Sequence, residues 1–222
     1  MSLFATLTED GSYSLTQAGY TGLALIMVGL LILACFVTKA DEKLGARPHR
    51  LVFSAMAIAL AFVASNIKLF HLPTGGSITF FSMFFVCLVG YWYGTAAGIM
   101  TAVAYGLLQL IVDPYILSVP QMLFDYIFAF GALGLSGVFS NSKNGMTKGF
   151  LLGCAGRFLF SFLSGLIFFG MYAPEGVSPA VYSATYNGSY IGVEALITVI
   201  LISIPSVNKA LIKVRTMARQ AR

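Results

Sequence analysis

The chain alternates long apolar runs with short polar stretches from about residue 17 to about residue 207. Each run approaches the ~20 residues that a helix needs to cross the hydrocarbon core of a bilayer. The stretches between the runs hold charged residues, together with prolines and glycines, which end helices. The pattern therefore predicts seven membrane-crossing helices, near residues 17–37, 51–70, 78–93, 95–112, 119–139, 147–170 and 187–207.

Composition favours helices in a membrane over helices buried in a soluble core. The chain has 222 residues, of which 58% are hydrophobic and 9% are charged, and its mean hydropathy is +0.87. A soluble domain has roughly 25% charged residues. We therefore expect an all-α integral membrane protein that crosses the cell membrane several times and has no second, soluble domain.

Positive charge is distributed unevenly between alternate polar stretches. Lys and Arg are concentrated in residues 38–50 and in the tail after residue 207. The stretches on the other side of the crossings hold neither residue; they span 71–77, 113–118 and 171–186. Lys68, at the end of the second run, is the exception. Because cytoplasmic loops carry the excess of Lys and Arg, we expect the N-terminus outside and the C-terminus in the cytoplasm. This orientation also accounts for the net charge of +5 without any nucleic-acid partner.

Three charged side chains lie at membrane depth, away from the ends of the apolar runs or within their outer turns: Asp125, Arg157 and Glu194. A charge at the centre of a membrane helix costs about 2.5–3.5 kcal/mol unless a partner, a wet cavity or a ligand compensates it. For Arg157 we favour a structural pair with Glu194, with Asp125 as the alternative partner. For Asp125 we favour a binding role, because it lies near the external end of its run beside tyrosines. The sequence has no nucleophile–base pair and no metal-ligand cluster, so an enzyme is disfavoured.

The segment 164–190 carries six aromatic side chains around a break at 173–176, where a plain connector would be small and polar. Tyrosine suits either a membrane interface or a flat, partly polar ligand. Tyr115 lies in another stretch on the same side, so we expect a ligand pocket open to the outside. The aromatic cluster 91–93 falls at the opposite face, where we expect it to anchor the chain at the interface.

The second apolar run is rich in alanine. Its alanines are Ala55, Ala57, Ala59, Ala61 and Ala64. They include small-xxx-small pairs, which let helices approach closely in lipid. The pair Ala57/Ala61 has two possible partners, a helix of this chain or a helix of another protein.

Several motifs, in order from residue 51 to about residue 205, carry a family resemblance. They are A-I-A-L-A-F-V-A-S, L-P-T-G-G-S-I-T, Y-G-L-L-Q-L-I, V-P-Q-M-L-F-D-Y-I-F-A-F-G-A-L-G-L-S-G, S-G-L-I-F-F-G-M-Y-A-P-E-G and Y-S-A-T-Y-N-G-S-Y. On these motifs the chain resembles the thiamine-specific S-components (the ThiT family) of energy-coupling-factor (ECF) vitamin transporters. The resemblance implies a six-helix substrate-binding bundle over residues 51–208. An N-terminal extension (1–50) with one extra transmembrane helix precedes it, and a basic cytoplasmic tail (209–222) follows.

The resemblance also implies a function. Such a subunit captures thiamine from outside with high affinity and delivers it inward together with an ECF transmembrane coupling subunit and two ATPase subunits. Those partners use ATP, so the chain itself needs no cofactor and no metal. The alternative is a stand-alone, proton-coupled carrier for thiamine or a related heteroaromatic vitamin or precursor, and a membrane anchor is a further alternative.

The resemblance assigns roles residue by residue. The acid–tyrosine pair of the pocket falls on Asp125 and Tyr126. The other predicted contacts are Tyr115, Gly165, Phe169, Tyr182 and Asn187, and the surface for the coupling subunit falls on Ala57 and Ala61. Some members have Glu in place of Asp125 and Trp in place of Phe169, which makes this acid shorter and this ring smaller. Asp113 is expected to lie away from the contacts.

Overall fold

The computed structural model describes residues 5–7, 13–19, 21–22, 48–71 and 77–220. From residue 48 onward the helices are α1 (Pro48–Asn66), α2 (Ser82–Tyr93), α3 (Thr95–Val112), α4 (Val119–Phe139), α5 (Gly145–Phe168), α6 (Pro179–Ser203) and α7 (Pro205–Gln220). Short antiparallel hairpins pair β1 (Ala5–Leu7) with β2 (Tyr13–Leu15) and β3 (Lys68–His71) with β4 (Ser77–Thr79). Most of the predicted N-terminal crossing, 17–37, lies outside the described residues.

The helices have the lengths and composition of a membrane protein. Helices α3 to α6 are each long and apolar enough to cross a bilayer, and α1 and α2 are shorter apolar helices. The prediction of an all-α integral membrane protein is therefore confirmed.

Helix α4 lies at the centre of the bundle and packs against α2, α3 and α5. Small residues make this possible: a Cβ on Gly134 would lie 2.2 Å from the backbone N of Ile99 in α3. A Cβ on Gly90 of α2 would lie 2.2 Å from Ser136 Oγ of α4. In lipid, such close approach of backbones is a main source of helix association, because lipid tails are as apolar as the side chains. The glycines therefore join α2, α3 and α4 closely.

Helix α6 begins at Pro179, well before the start near Asn187 that hydropathy predicts. Ser178 caps the helix, since its Oγ accepts a hydrogen bond from Val181 N (3.3 Å). Proline suits the first turn that follows, because the N–H it lacks would have no partner there. Part of the predicted external loop is thus the start of a helix.

The buried carboxylate of Glu194 in α6 holds the start of α2. Its Oε2 accepts hydrogen bonds from Thr79 N (3.2 Å) and Thr79 Oγ1 (2.6 Å), and its Oε1 accepts one from Met83 N (3.1 Å). A carboxylate at a helix N-terminus satisfies free N–H groups and complements the helix dipole. The predicted pair of Glu194 with Arg157 is therefore wrong, because donors of β4 and α2 compensate the acid instead.

Helix α1 presents different alanines to the bundle and to its outer surface. Ala57 and Ala61 are 2% and 0% exposed and belong to the core, where Tyr105 OH donates to Ala61 O (3.3 Å). Ala55 and Ala59 are exposed and lie one turn apart. Two residues along a helix correspond to about 200° of rotation. Ala57 and Ala61 therefore face the bundle, and the exposed small pair is Ala55/Ala59. A coupling-subunit contact at Ala57/Ala61 stays a prediction.

Helix α7 is amphipathic and packs against α1, α2 and α6. Its Ala218 is buried, and Leu211 and Val214 pack against the core. Tyr91 and Trp92 of α2 are 4% and 6% exposed and belong to the same core. These two aromatic residues are therefore covered by protein, and the prediction that they anchor the chain at the lipid interface is wrong.

Candidate functional site

A cavity of about 670 Å³ opens between α3, α4, α5 and α6, around the N-terminal half of α6. Small-molecule sites commonly have volumes of about 300–1,000 Å³. The wall combines aromatic rings with amides, hydroxyls and charged groups; it is formed by Gln109, Asp113, Tyr115, Asp125, Tyr126, Phe130, Arg157, Ser161, Gly165, Phe169, Tyr172, Tyr182, Ser183, Tyr186, Asn187 and Tyr190. Such a wall suits a flat, partly polar molecule.

The seven residues predicted as ligand contacts all line this cavity. They are Tyr115 of the α3–α4 loop, Asp125 and Tyr126 of α4, Gly165 and Phe169 at the end of α5, and Tyr182 and Asn187 of α6. Their contact with a ligand stays a prediction. Asp113 also lines the cavity, so it is closer to the site than we expected.

Asp125 lies in a π-helical stretch of α4, Leu123–Phe128. Single π turns within α helices occur frequently at functional sites. Asp125 Oδ2 accepts a 2.6 Å hydrogen bond from Gln121 Nε2. Gln121 also donates to Tyr115 O (3.2 Å), and its Oε1 accepts from Leu117 N (2.9 Å). One buried amide therefore holds both the acid and the loop that carries Tyr115.

Gln121 was not among the predicted site residues. The signal was its position four residues before Asp125, because side chains spaced by four on a helix meet on one face. Tyr126 has a similar structural role: its hydroxyl donates to Asp113 O (3.1 Å) and accepts from Tyr115 N (2.9 Å). The α3–α4 loop is thus shaped by side chains of α4.

Three aromatic side chains form a collar beside the loops. Tyr115 and Phe169 stack with ring centroids 5.9 Å apart and planes 24° apart. Tyr172, in the short 3₁₀ turn Gly170–Tyr172, lies 6.1 Å from the Phe169 ring, and its hydroxyl is 3.4 Å from that of Tyr115. The collar, Tyr115–Phe169–Tyr172, joins the α3–α4 and α5–α6 loops and offers ring faces to a cation.

A second aromatic series runs along α6. Tyr182 and Tyr186 stack at 6.1 Å, and Tyr186 meets Tyr190 edge to face at 5.7 Å. Only Tyr182 was predicted as a site residue. The spacing of four places all three on one helical face, and the early start of α6 makes this face continuous. The rings extend from the first turn of α6 along the cavity wall.

Gly165 and Asn187 lie where α5 crosses α6. A Cβ on Gly165 would lie 2.2 Å from Ser183 Oγ and 3.2 Å from Asn187 Nδ2. The Asn187 amide donates to Ser161 O (3.2 Å) and Ser183 O (3.0 Å), and Asn187 Oδ1 accepts from Tyr190 OH (2.9 Å). Both residues therefore fix the crossing itself, and Asn187 positions Tyr190.

Gly165→Ala is expected to lower the midpoint of thermal unfolding of the purified protein, because the added methyl forces α5 and α6 apart. Overpacking of this kind typically costs about 1–3 kcal/mol. The matched control is Gly192→Ala in α6, where a Cβ meets nothing within 4 Å. Equal unfolding midpoints for the two variants would contradict the tight crossing.

Arg157 of α5 contributes a cation to the cavity wall. Its guanidinium carbon lies 4.2 Å from the centroid of the Phe130 ring, and its buried Nε has no hydrogen-bond partner in the described part of the chain. The face of the Phe130 ring stabilises the Arg157 cation through a cation–π contact. Among the described residues, no group of three or more His, Cys, Asp or Glu side chains is placed to hold a metal ion.

The chain is similar to known proteins in both sequence and structure. The sequence model of the family described as thiamine transporter protein (Thia_YuaJ) matches residues 51–213. The thiamine transporter ThiT of Bacillus subtilis is 33% identical over 153 residues, which cover 63% of this chain and 78% of the relative. The thiamine transporter ThiT of Lacticaseibacillus paracasei is 26% identical over 126 residues, covering 51% of this chain and 61% of the relative.

The solved structure of ThiT from Listeria monocytogenes has a similar fold. It superimposes with a TM-score of 0.54 and 25% sequence identity, covering 72% of this chain and 94% of the other. The sequence match begins at residue 51, so the N-terminal extension lies outside the family model.

Proposed function

Because the chain belongs to the thiamine transporter protein family, we propose that it is a thiamine-binding membrane subunit that captures thiamine on the outer side of the cell membrane. The family is one of transporters, and the chain is accordingly a transport protein rather than an enzyme. The observation that carries the proposal is the cavity, in which an acid, Asp125, lies among aromatic rings.

The chemistry of the cavity suits thiamine, which joins a permanent thiazolium cation to an aminopyrimidine. A cation held against aromatic faces gains roughly 0.5–2 kcal/mol per ring, and the collar Tyr115–Phe169–Tyr172 offers such faces. Asp125 would accept hydrogen bonds from the aminopyrimidine, and bonds to an ionised acceptor are stronger than neutral ones. Asn187 would act through Tyr190 and the α5–α6 crossing, because its amide N–H groups are already engaged.

The test is a calorimetric titration of the purified, full-length protein with thiamine. We expect saturable binding at one site per chain. Choline is the control ligand, because it carries a quaternary cation but no aminopyrimidine, and it should bind far more weakly. Equal binding of both ligands would reduce the site to a general cation pocket, and no thiamine binding would refute the proposal.

For energy coupling, the proposal follows the family resemblance: the chain joins an ECF transmembrane coupling subunit and two ATPase subunits. The exposed Ala55/Ala59 pair supports it, because small residues one turn apart let a partner helix approach in lipid. The alternative, a stand-alone proton-coupled carrier, would need membrane acids free to exchange protons. Glu194 is an unsuitable candidate, since its two oxygens already accept hydrogen bonds from Thr79 and Met83.

For orientation, we expect the cavity side outside and α7 in the cytoplasm. Single cysteines at exposed positions test this in a background lacking Cys35, Cys87 and Cys154. An impermeant thiol reagent applied to intact cells should label Glu175→Cys, in the α5–α6 loop, and leave Lys213→Cys in α7 unlabelled until the cells are opened. The reverse labelling pattern would show that the chain has the opposite orientation in the membrane.

A further inference from the structure

Two arginines of α7 converge where this helix crosses the C-terminal end of α2. Arg219 Nε donates a 2.7 Å hydrogen bond to Trp92 O. Arg215 Nη2 (3.0 Å) and Arg219 Nη1 (3.2 Å) both donate to Asn141 Oδ1 in the α4–α5 loop. The Arg215 guanidinium also lies 4.7 Å from the centroid of the Tyr91 ring. Two cations therefore share one neutral acceptor.

Like charges this close repel each other unless an anion lies between them. Within the described part of the chain, no acidic side chain forms an ion pair with either guanidinium. Partial desolvation and the neighbouring Arg215 cation lower the pKa of Arg219, and Arg50 adds to the effect. Arg50 itself lies over the Tyr93 ring, 5.3 Å from its centroid. Among the described residues, the charges of Arg215 and Arg219 are therefore not balanced by an acidic side chain.

The same region contains buried groups that can donate hydrogen bonds. Within the residues that the structure describes, the indole N–H of Trp92 and the Nε of Arg215 are buried without a hydrogen-bond partner, and so is the hydroxyl of Tyr93. Trp92 as a whole is only 6% exposed. A buried polar group without a partner is costly. A ligand that only accepts hydrogen bonds and carries negative charge is the chemical complement of such a region.

The position of the cluster indicates which anion is available. The cavity is lined by residues of the N-terminal half of α6, and α7 follows the C-terminal end after Ile204. Helix α6 has 25 residues and so spans roughly 37 Å, enough to cross the membrane. The arginines therefore lie at the opposite membrane face, at the depth of the lipid headgroups.

We propose that Arg215 and Arg219, with the donors at the end of α2, form a binding site for the phosphate of an anionic phospholipid. The planar guanidinium fork matches phosphate oxygens, and basic pockets at the ends of membrane helices bind anionic headgroups. Ile212, three residues before Arg215, is 51% exposed on the same side of α7 and offers an apolar surface for the adjoining acyl chain. A protein carboxylate would lack that apolar part, so lipid fits better.

The test is native mass spectrometry of the full-length protein in detergent, with phosphatidylglycerol or phosphatidylcholine added. The double variant Arg215→Gln/Arg219→Gln should bind phosphatidylglycerol about thirtyfold more weakly than the parent. The matched control, Lys209→Gln/Lys213→Gln, loses the same charge from an exposed side of the same helix. It should change the affinity by less than about threefold, because exposed charges away from the site are screened by salt.

If both double variants lose the same affinity for phosphatidylglycerol, the binding depends only on the overall positive charge of the helix, and the proposal is overturned. Equal affinity of the parent for the two lipids would also overturn it. Free glycerol phosphate is the third arm: if it binds as tightly as the lipid, the site serves a soluble phosphate instead. Should the glutamine variant fail to fold by circular dichroism, Arg215→Lys/Arg219→Lys keeps the charge but removes the fork. An unchanged lipid affinity in that lysine variant would overturn the proposal as well.

Discussion

Asp125→Asn is expected to weaken thiamine binding by about ten- to a hundredfold. The substitution keeps the shape of the side chain but removes its charge, and a charge-assisted hydrogen bond contributes roughly 1.5–3 kcal/mol. The geometry adds a second effect. Gln121 Nε2 donates to the acid, so the asparagine must turn its oxygen toward Gln121 to keep that bond. Its amide N–H group would then face the aminopyrimidine, where an acceptor is needed.

Calorimetry on matched variants tests this expectation. Glu175→Gln is the control, because Glu175 is exposed in the α5–α6 loop and does not line the cavity. Asp113→Asn should have a smaller effect than Asp125→Asn, since Asp113 lies on an exposed part of the wall. If Asp125→Asn binds like the parent while Asp113→Asn binds poorly, the carboxylate role belongs to Asp113.

Ala59→Trp is expected to reduce uptake to background while leaving thiamine affinity unchanged. Ala59 is exposed on the outer face of α1 and does not line the cavity. An indole there would keep a partner helix from the close contact that a small-xxx-small pair allows. The measurement is uptake of labelled thiamine by cells with the complete transport system, alongside calorimetry on the purified variant.

Two controls separate this effect from misfolding. Leu151→Trp puts the same bulk on an exposed position of α5 and should transport normally. Ala57→Trp places it in the core, where Ala57 is 2% exposed, and should instead lower the yield of folded protein. Uptake that persists in a strain without the ATPase subunits would favour the stand-alone carrier.

The sequence was sufficient to predict the membrane fold. It was not sufficient to predict which side chains face the bundle, the cavity or lipid. The apolar runs marked α3, α4 and α5 closely, because a helix in lipid must be apolar over its whole length. The start of α6 was missed because its first turns carry Tyr182, Tyr186 and Asn187. These residues face a cavity rather than lipid, so their polarity resembles that of a loop.

Direction was the harder problem, as the α1 alanines show. An apolar helix with alanine at every second position gives no sign of which face meets lipid, so Ala57/Ala61 and Ala55/Ala59 are equivalent in the sequence. The same holds for Arg157 and Glu194. Opposite charges in neighbouring runs suggest a pair, yet the uncapped N-terminus of α2 is an equally good partner for a carboxylate, and only the fold selects it.

The π-helical stretch of α4 has a consequence for insertions and deletions in this helix. The π turn, and the 3₁₀ stretch Ala132–Phe139 that follows it, give Asp125 and Gly134 a relative rotation that differs from that of an uninterrupted α helix. Asp125 thereby faces the cavity while Gly134, farther along, faces the backbone of α3. A substitution between them leaves this relative rotation unchanged, but losing one residue would turn either the acid or the glycine away. The relative orientation of the acid and the glycine therefore depends on the number of residues between them.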